Sequence, residues 1–298
     1  MKALPRSKNF LGIGKEHSAW ATSRIAILSA PYEHSVSYGG GTAKGPAAIL
    51  EASHYVEFWD EDFKRELCFD HGIAAVAPLS FGKKKDKDVL DIIEAAVDTA
   101  LDDGKFVVTL GGEHTISAAP IHAHFRRHPG MSVLQFDAHS DLRESYLGNP
   151  YSHASVMARV AEFMPGERIV QAGIRAQCIE EHQMIRDRGI RTFFACDMHA
   201  GTHGEHWQKA VVDALADEVY ITFDVDYFDP SIMPATGTPE PGGFQWDETV
   251  ALLKMIGAKK RIVGFDVVEL APMRSLTFPS FLAAKLVSKL LNAAFMGR

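Results

Sequence analysis

Short apolar runs alternate with longer amphipathic segments along most of the chain. The apolar runs are rich in β-branched residues, and they predict strands with the sequences RIAILSA, KFVVTL, SVLQF, RIVQAGI, RTFFA, EVYITF and RIVGFDVV. Amphipathic patterns predict helices over residues 89–102, 154–163, 206–215, 248–256 and 281–295. Because strands and helices alternate, the pattern favours an α/β fold whose parallel sheet is covered by helices on both faces.

Charged residues and histidines follow several of the predicted strands directly. In open parallel α/β sheets, ligands bind outside the carboxyl ends of the strands, so these residues are candidates for one site. Side chains at alternate positions of an extended segment share a face, which predicts that the DAHSD and DVD side chains converge. The candidates are His114 after KFVVTL, Asp137, His139 and Asp141 after SVLQF, Asp224 and Asp226 after EVYITF, and Glu269 after RIVGFDVV.

Four aspartates gathered at one point would repel each other and become protonated unless positive charge lies between them. Two divalent cations would balance them, with the imidazoles of His114 and His139 completing the ligand set. Oxygen and nitrogen ligands without thiolate favour manganese, and less firmly zinc, nickel or iron. A lone DxD or a lone histidine more often has a structural role. The joint occurrence of these motifs at strand ends therefore predicts a binuclear metal site.

Composition limits the class of protein. The chain has 298 residues, of which 46% are hydrophobic and 23% charged, which is enough for one large core. A net charge of −7 and a pI near 6.0 argue against a nucleic-acid partner. The sequence shows no apolar stretch typical of a signal peptide or a membrane span. An odd number of widely spaced cysteines is typical of reduced thiols, so we expect a cytoplasmic protein without a membrane partner.

Two further histidine clusters have simpler interpretations. The sequence IHAHFRRH, with His122, His124 and His128, is expected on the polar face or at the end of a helix. The sequence MHAGTHGEH, with His199, His203 and His206, is expected in a solvated loop, because no strand end or acidic partner frames it.

The motifs GGEHTIS, FDAHSD, SHAS, TFDVDYFDPSIMPATGTPEPGG and GFDVVELAP, in this order, resemble the signatures of the ureohydrolases, the arginase and agmatinase family. The resemblance implies a three-layer α/β/α arginase-like fold with a central, mainly parallel sheet. It also implies one catalytic domain over residues 1–298, in which residues 1–23 form an N-terminal arm. Two Mn²⁺ ions per chain are implied as the cofactor.

The resemblance also implies a role for each site residue. His114, Asp137, Asp141 and Asp224 resemble the ligands of one metal, and Asp137, His139, Asp224 and Asp226 resemble those of the other. Asp137 and Asp224 would then bridge the two ions, and Asp141 would also hold the attacking hydroxide. His153 matches the histidine that shuttles protons, and Glu269 matches the glutamate that receives the guanidinium. A supporting role for Thr238, in the loop ATGTPEPGG, is compatible with this scheme.

The loop between DLR and YSHA resembles agmatinases, and the loop that arginases use to bind the amino-acid head group is missing. We therefore expect hydrolysis of agmatine to urea and putrescine. Glu144 is a candidate contact for the ammonium of agmatine, and Arg143 is expected to turn away into a local ion pair. A related ureohydrolase acting on guanidinobutyrate, arginine or formiminoglutamate is the alternative, and Arg143 would then serve an acidic substrate. Gln177 and Cys178, which follow QAGIR, could reshape the substrate mouth.

The resemblance further implies a homotrimer or a homohexamer, with contacts that could involve the N-terminal arm. A catalytically silent metal-binding or scaffold protein is a third hypothesis. It predicts that Glu269 or His153 would be missing, but both are present.

Overall fold

A computed structural model describes residues 1–204 and 206–297. Its strands form one sheet in the order β2-β1-β3-β8-β7-β4-β5-β6, and every neighbouring pair is parallel. The strands are β1 (Ile25–Ala30), β2 (Ile73–Ala75), β3 (Phe106–Gly111), β4 (Ser132–Phe136), β5 (Ile169–Ile174), β6 (Arg191–Phe194), β7 (Glu218–Asp224) and β8 (Arg261–Val268). The predicted strands are confirmed, and β2 is an edge strand that the sequence pattern did not predict.

One short α-helix precedes β1, and the others lie between the strands or after β8. They are α1 (Lys15–Ser18), α2 (Gly45–Ser53), α3 (Leu67–His71), α4 (Lys87–Asp102), α5 (Ala118–Arg127), α6 (Val156–Val160), α7 (Ile179–Arg188), α8 (Ala195–His199), α9 (Trp207–Ala214), α10 (Trp246–Lys259) and α11 (Phe278–Ala294). The predicted helix over 154–163 is shorter than expected. A 3₁₀ turn over His153–Ser155 precedes α6, and its last residue, Ser155, has non-helical angles of φ −127° and ψ 3°.

Each face of the sheet has its own apolar core, because successive side chains of a strand point to opposite faces. Along β1, Ile25 and Ile27 belong to one core, and Ala26 and Leu28 belong to the other. The first core includes residues of α2, α9, α10 and α11, and the second includes residues of α4, α5 and α6. This arrangement confirms the predicted three layers, with helices on both sides of a parallel sheet.

The residues before Arg24 lie against the sheet edge. The Leu4 amide donates to the Ala75 carbonyl, and the Asn9 side chain donates to the Ile73 carbonyl and accepts from the Ala75 amide. Phe10 is fully buried in the first core. The segment predicted as an N-terminal arm therefore covers the exposed edge of β2, which would otherwise be open to pairing with another strand.

Within the described part of the chain, none of the helices combines the length and apolarity needed to cross a membrane.

Candidate metal centre and active-site cavity

The four strands that carry the candidate residues are consecutive neighbours in the sheet, in the order β3-β8-β7-β4. His114, Glu269, Asp224 and Asp137 follow or end these strands in that order. The carboxyl ends of parallel strands meet at one edge, so this order alone brings the side chains together. Gly112 lies between β3 and His114, where only a glycine fits, because a Cβ at this position would lie 1.9 Å from the Tyr32 carbonyl oxygen.

His114 lies at the centre of the first group of ligand atoms. Its Nδ1 is 3.0 Å from Asp137 Oδ2, 3.0 Å from Asp141 Oδ2 and 3.4 Å from Asp224 Oδ2. Despite these short distances, Nδ1 has no hydrogen-bond partner among the described residues. A buried nitrogen that faces several carboxylate oxygens without hydrogen bonding to them is the arrangement expected of metal ligands.

The second group contains Asp137, His139 and Asp226. His139 Nδ1 lies 2.9 Å from Asp226 Oδ2 and 3.7 Å from Asp137 Oδ1. Asp137 thus turns one carboxylate oxygen toward His114 and the other toward His139, as a bridging ligand must. Asp224 contacts the first group, and its Oδ1 accepts the backbone amide of Asp226. Asp137 belongs to both groups of ligand atoms, whereas Asp224 belongs to the first group.

Two candidate residues have left-handed backbone conformations. Asp141 has a φ of 53° and Glu269 has a φ of 63°. Such angles are costly for residues with a side chain and occur most often at functional sites. The predicted alternation along a straight strand is therefore wrong for Asp141, because β4 ends at Phe136 and a turn brings Asp141 to His114.

A row of polar side chains crosses the sheet beneath the ligands. Backbone pairing places the following residues side by side: Thr109, Asp266, Thr222, Gln135, Gln171 and Thr192. We call this set the polar row. Gln135 donates to Asp137 Oδ2 at 2.7 Å. The polar row was not predicted from the sequence motifs, although Asp266 and Gln135 stand out as polar residues inside apolar strands.

The polar row fixes the tautomer of His114. Thr222 Oγ1 donates to Asp266 Oδ1 at 2.7 Å, so its lone pairs accept from His114 Nε2, which lies 2.9 Å away. The proton of a neutral imidazole then lies on Nε2, and Nδ1 presents a lone pair to the carboxylates. Ser117 and Tyr220 also donate to Asp266, which holds this carboxylate in place.

Electrostatics favour cations in the site. Burial and neighbouring Asp137 raise the pKa of Asp141 to about 7. Burial, together with Asp226 and Asp137, raises the pKa of Asp224 well above its usual value. The pKa of His139 is raised to about 12, because the attraction of Asp226 and Asp137 outweighs the effect of burial. Cations bound among these groups would relieve the repulsion between carboxylates, so the residues fit a metal centre.

A cavity of about 180 Å³ opens above these ligands. Its lining includes both catalytic candidates beside the metal ligands: His153 and Glu269. Glu269 Oε1 accepts a hydrogen bond from the backbone amide of His114 at 2.6 Å. This bond fixes the carboxylate beside a metal-ligand candidate. Burial raises the pKa of Glu269 well above its usual value, and Glu113 adds to this effect. Thr238 lines the cavity itself, rather than supporting it from behind.

Arg143 and Glu144 differ in position. Arg143 lines the cavity, stacks over the Tyr146 ring at 5.3 Å and has its Nε 3.9 Å from Glu181 Oε2. It therefore makes the expected ion pair but stays in the cavity wall. Glu144 pairs with Arg159 at 3.2 Å and is not among the cavity-lining residues. Its proposed contact with a substrate ammonium has no support from this arrangement.

The two other histidine clusters lie outside the cavity lining. His122 pairs with Glu94 on the surface of α5, as expected. His124 lies in the last turn of α5, one of the two places expected, but it is fully buried and not on a polar face. His199 stacks on Phe244 and contacts the Gly242 carbonyl, and His203 packs edge-on against Phe193. Ring packing therefore holds His199, at the end of α8, and His203, whereas His206 is exposed as expected.

Residues 23–292 match the Arginase family. An N(1)-aminopropylagmatine ureohydrolase from Synechocystis sp. is 36% identical over 282 residues, which cover 92% of this chain and 90% of the relative. An agmatinase from Bacillus subtilis is 33% identical over 262 residues, which cover 85% of this chain and 86% of the relative. The solved structure of the agmatine ureohydrolase of Thermoplasma volcanium has a TM-score of 0.85 at 28% identity, covering 96% of this chain and 94% of that one.

Proposed function

The chain belongs to the arginase family, and from this premise we propose that it is a binuclear manganese ureohydrolase that converts agmatine to urea and putrescine. The observation that carries the proposal is one cavity whose lining includes His153 and Glu269 together with four of the six metal-ligand candidates: His139, Asp141, Asp224 and Asp226. Hydrolysis of guanidino C–N bonds is the chemistry of the family, and each of these groups has a part in it.

Glu269 would bind the guanidinium. A carboxylate accepts two parallel N–H bonds from a planar guanidinium, and a charge-assisted pair of this kind also fixes its orientation. One Glu269 oxygen is held by the His114 amide at 2.6 Å, so the bound guanidinium would lie at a fixed place beside the metal ligands. The approach of a cation would also favour the ionised form of Glu269, which burial otherwise disfavours.

The metal ligands would be His114, Asp137, His139, Asp141, Asp224 and Asp226. Bound metal ions would lower the pKa of a coordinated water and so supply the nucleophile near neutral pH. Carboxylates and imidazoles without thiolate favour manganese. Asp137, which faces both ligand groups, would be the bridging residue.

His153 would supply a proton to the departing amine. Burial lowers the pKa of His153 to about 4, so the ring is neutral near pH 7 unless a proton reaches it during turnover. A neutral imidazole in the cavity wall can accept a proton in one step of the reaction and donate it to the departing amine in a later step. The products are then urea and the free amine.

Agmatine extended by an aminopropyl group is a second candidate substrate. The relative from Synechocystis sp., at 36% identity, carries that name. Arg143 is a cation in the cavity wall, and it would repel a substrate ammonium that lies beside it. A longer polyamine tail could place its ammonium groups farther from Arg143. Agmatine remains the proposed substrate, because the negative charge of Glu181 beside Arg143 would reduce the repulsion between Arg143 and the ammonium of agmatine.

We also propose one catalytic domain over residues 1–298, a cytoplasmic location and a homotrimeric or homohexameric assembly. The apolar core on each side of one continuous sheet supports the single domain. The location and the assembly are proposed from the membership of the arginase family. Light scattering at micromolar concentration tests the assembly, and a stable monomer would contradict it.

Urea release from a substrate panel tests the function. Manganese-loaded protein is assayed with agmatine, N(1)-aminopropylagmatine, arginine, 4-guanidinobutyrate and formiminoglutamate, the last by formamide release. We expect agmatine to give the highest kcat/KM and Glu269→Gln to abolish activity. A preference for 4-guanidinobutyrate that Arg143→Ala removes would replace agmatine by an acidic substrate. A preference for the aminopropyl compound would select the second candidate.

A further inference from the structure

His153 is held by two serines of a loop that is distant in sequence. Ser35 Oγ lies 3.1 Å from His153 Nδ1, and Ser37 Oγ lies 3.3 Å from His153 Nε2. The Ser35 hydroxyl also lies 2.9 Å from Glu113 Oε1 and 2.9 Å from the backbone amide of His153. Ser35 therefore connects the histidine to a buried carboxylate.

The hydrogen positions follow from this geometry. Glu113 Oε2 accepts the amides of His34 at 2.6 Å and Ser35 at 2.7 Å, and Glu113 Oε1 accepts from the Ser35 hydroxyl at 2.9 Å. The one hydroxyl proton of Ser35 must then point to Glu113. The Ser35 oxygen is left with two lone pairs. One accepts from the His153 backbone amide, and the other can accept from His153 Nδ1 only if that nitrogen carries the ring proton.

The loop is anchored at both ends, so this contact does not depend on a freely moving serine. We call the segment 33–41 the serine loop. The Glu33 carboxylate accepts the amides of Gly41 and Ala43, and the Gly39 amide donates to the Gly237 carbonyl. Ser35 lies within this anchored segment and contacts both Glu113 and His153.

We propose that Ser35 is a positioning residue, which acts through Glu113 to fix His153 in the tautomer that carries its proton on Nδ1. Nε2 is then the ring nitrogen that exchanges protons with the cavity. The proposal rests on the proposed function for its catalytic meaning, but the tautomer itself is independent of any activity. Without the Ser35 oxygen, Nδ1–H has no acceptor, and the two tautomers become closer in energy.

The first test is a spectroscopic one. Full-length protein with ¹⁵N-labelled histidine and added Zn²⁺, which is diamagnetic, is observed by NMR at pH 7.5, and His153 is assigned with His153→Asn. We expect Nδ1–H in the wild type, a shift toward Nε2–H in Ser35→Ala, and restoration in Ser35→Thr. Ser29→Ala is the matched control, because Ser29 is buried and its hydroxyl has no partner among the described residues. An Nε2–H wild type, or an unchanged Ser35→Ala, would overturn the proposal.

The second test is a kinetic double-mutant cycle. We expect Ser35→Ala to lower kcat with agmatine by about tenfold or more, with KM changed by less than about twofold, because the loss lies in proton transfer. In the His153→Asn background, Ser35→Ala should have no further effect. Additive losses would overturn the proposal. A wild type that releases no urea from any guanidino compound would instead refute the proposed function, and the NMR test would still decide the tautomer.

Discussion

Thr222 Oγ1 lies 2.9 Å from His114 Nε2 while it donates to Asp266 at 2.7 Å. All three side chains are buried, and the contact connects a metal-ligand candidate to the middle of the sheet. Because the threonine has one proton and gives it to the carboxylate, the histidine must present its Nδ1 lone pair to the site. The strand interior thus decides which ring nitrogen can bind a metal.

Replacing Thr222 by valine should weaken metal binding without removing a ligand. The variant leaves His114 Nε2–H without an acceptor, so we expect about 10–100-fold lower metal affinity, measured by competition with a chelator. Thr109→Val is the matched control, because Thr109 lies in the polar row, is buried and has an Oγ1 without a partner among the described residues. Equal affinities in both variants would show that Thr222 does not orient His114.

Asp137 should be needed for both metal ions. Its Oδ2 lies 3.0 Å from His114 and its Oδ1 lies 3.7 Å from His139, so it touches both ligand groups. Metal analysis of manganese-reconstituted protein should give close to two ions per chain in the wild type. Asp137→Asn should reduce occupancy of both sites, whereas Asp226→Asn should affect mainly one. A fully active wild type with one ion per chain would contradict the bridging scheme.

The positions of the metal-ligand candidates follow from the strand ends, but the residues that support them do not. The strands that carry His114, Asp137, Asp224 and Glu269 were predictable, because long β-branched runs are strong signals. Strand β2 was not predictable, because its three residues are too short for a periodic pattern. Alternation along a strand also gave the wrong position for Asp141, which a left-handed turn places.

The contacts to His153 could not be predicted from local sequence. Ser35 reaches His153 across 118 residues, through a loop that Glu33 and Glu113 anchor by accepting backbone amides. No residue spacing indicates such a contact, because the pairing depends on the order of strands in the sheet. Buried polar residues inside apolar runs, such as Asp266, were the one available signal for the supporting network.

Lys289 should be important for stability, far from the cavity. It is fully buried in α11, and its Nζ lies 2.8 Å from Asp60 Oδ1 and 2.6 Å from Asp62 Oδ2. Lys289→Met leaves the buried Asp60 carboxylate without its cation, so we expect the free energy of unfolding to fall by about 3–5 kcal/mol.

Denaturant unfolding measures this loss, and Lys285→Met is the control. Lys285, in the same helix, makes a longer contact of 3.6 Å with the exposed Glu61 and should cost less than about 1 kcal/mol. Adding Asp60→Asn to Lys289→Met should recover part of the stability. Equal losses from the two lysine variants would show that the buried cluster has no special role.

His124 should make stability depend on pH. Its ring is fully buried, its Nδ1 lies 2.7 Å from the Pro120 carbonyl, and its Nε2 has no partner among the described residues. A Cβ at Gly264 would lie 2.3 Å from Nε2, so the ring is tightly enclosed. Burial lowers the pKa of His124 to about 4, with smaller effects of His128 and Arg127 in the same direction.

The direction of the effect follows from proton binding. The unfolded chain has the ordinary histidine pKa of about 6.5, so between about pH 6.5 and 4 it binds a proton that the folded protein does not. The stability contribution of neutral His124 is therefore fully present above pH 6.5 and is lost as the pH falls through this window, by at most about 3 kcal/mol.

His124→Leu cannot take up a proton, so its stability should fall less between pH 7.5 and 5 than that of the wild type. Other groups titrate equally in both proteins, and the difference between them isolates His124. His122→Gln, on the exposed side of α5, should follow the wild type, and a His124→Leu variant that does so as well would show that His124 is not the group responsible.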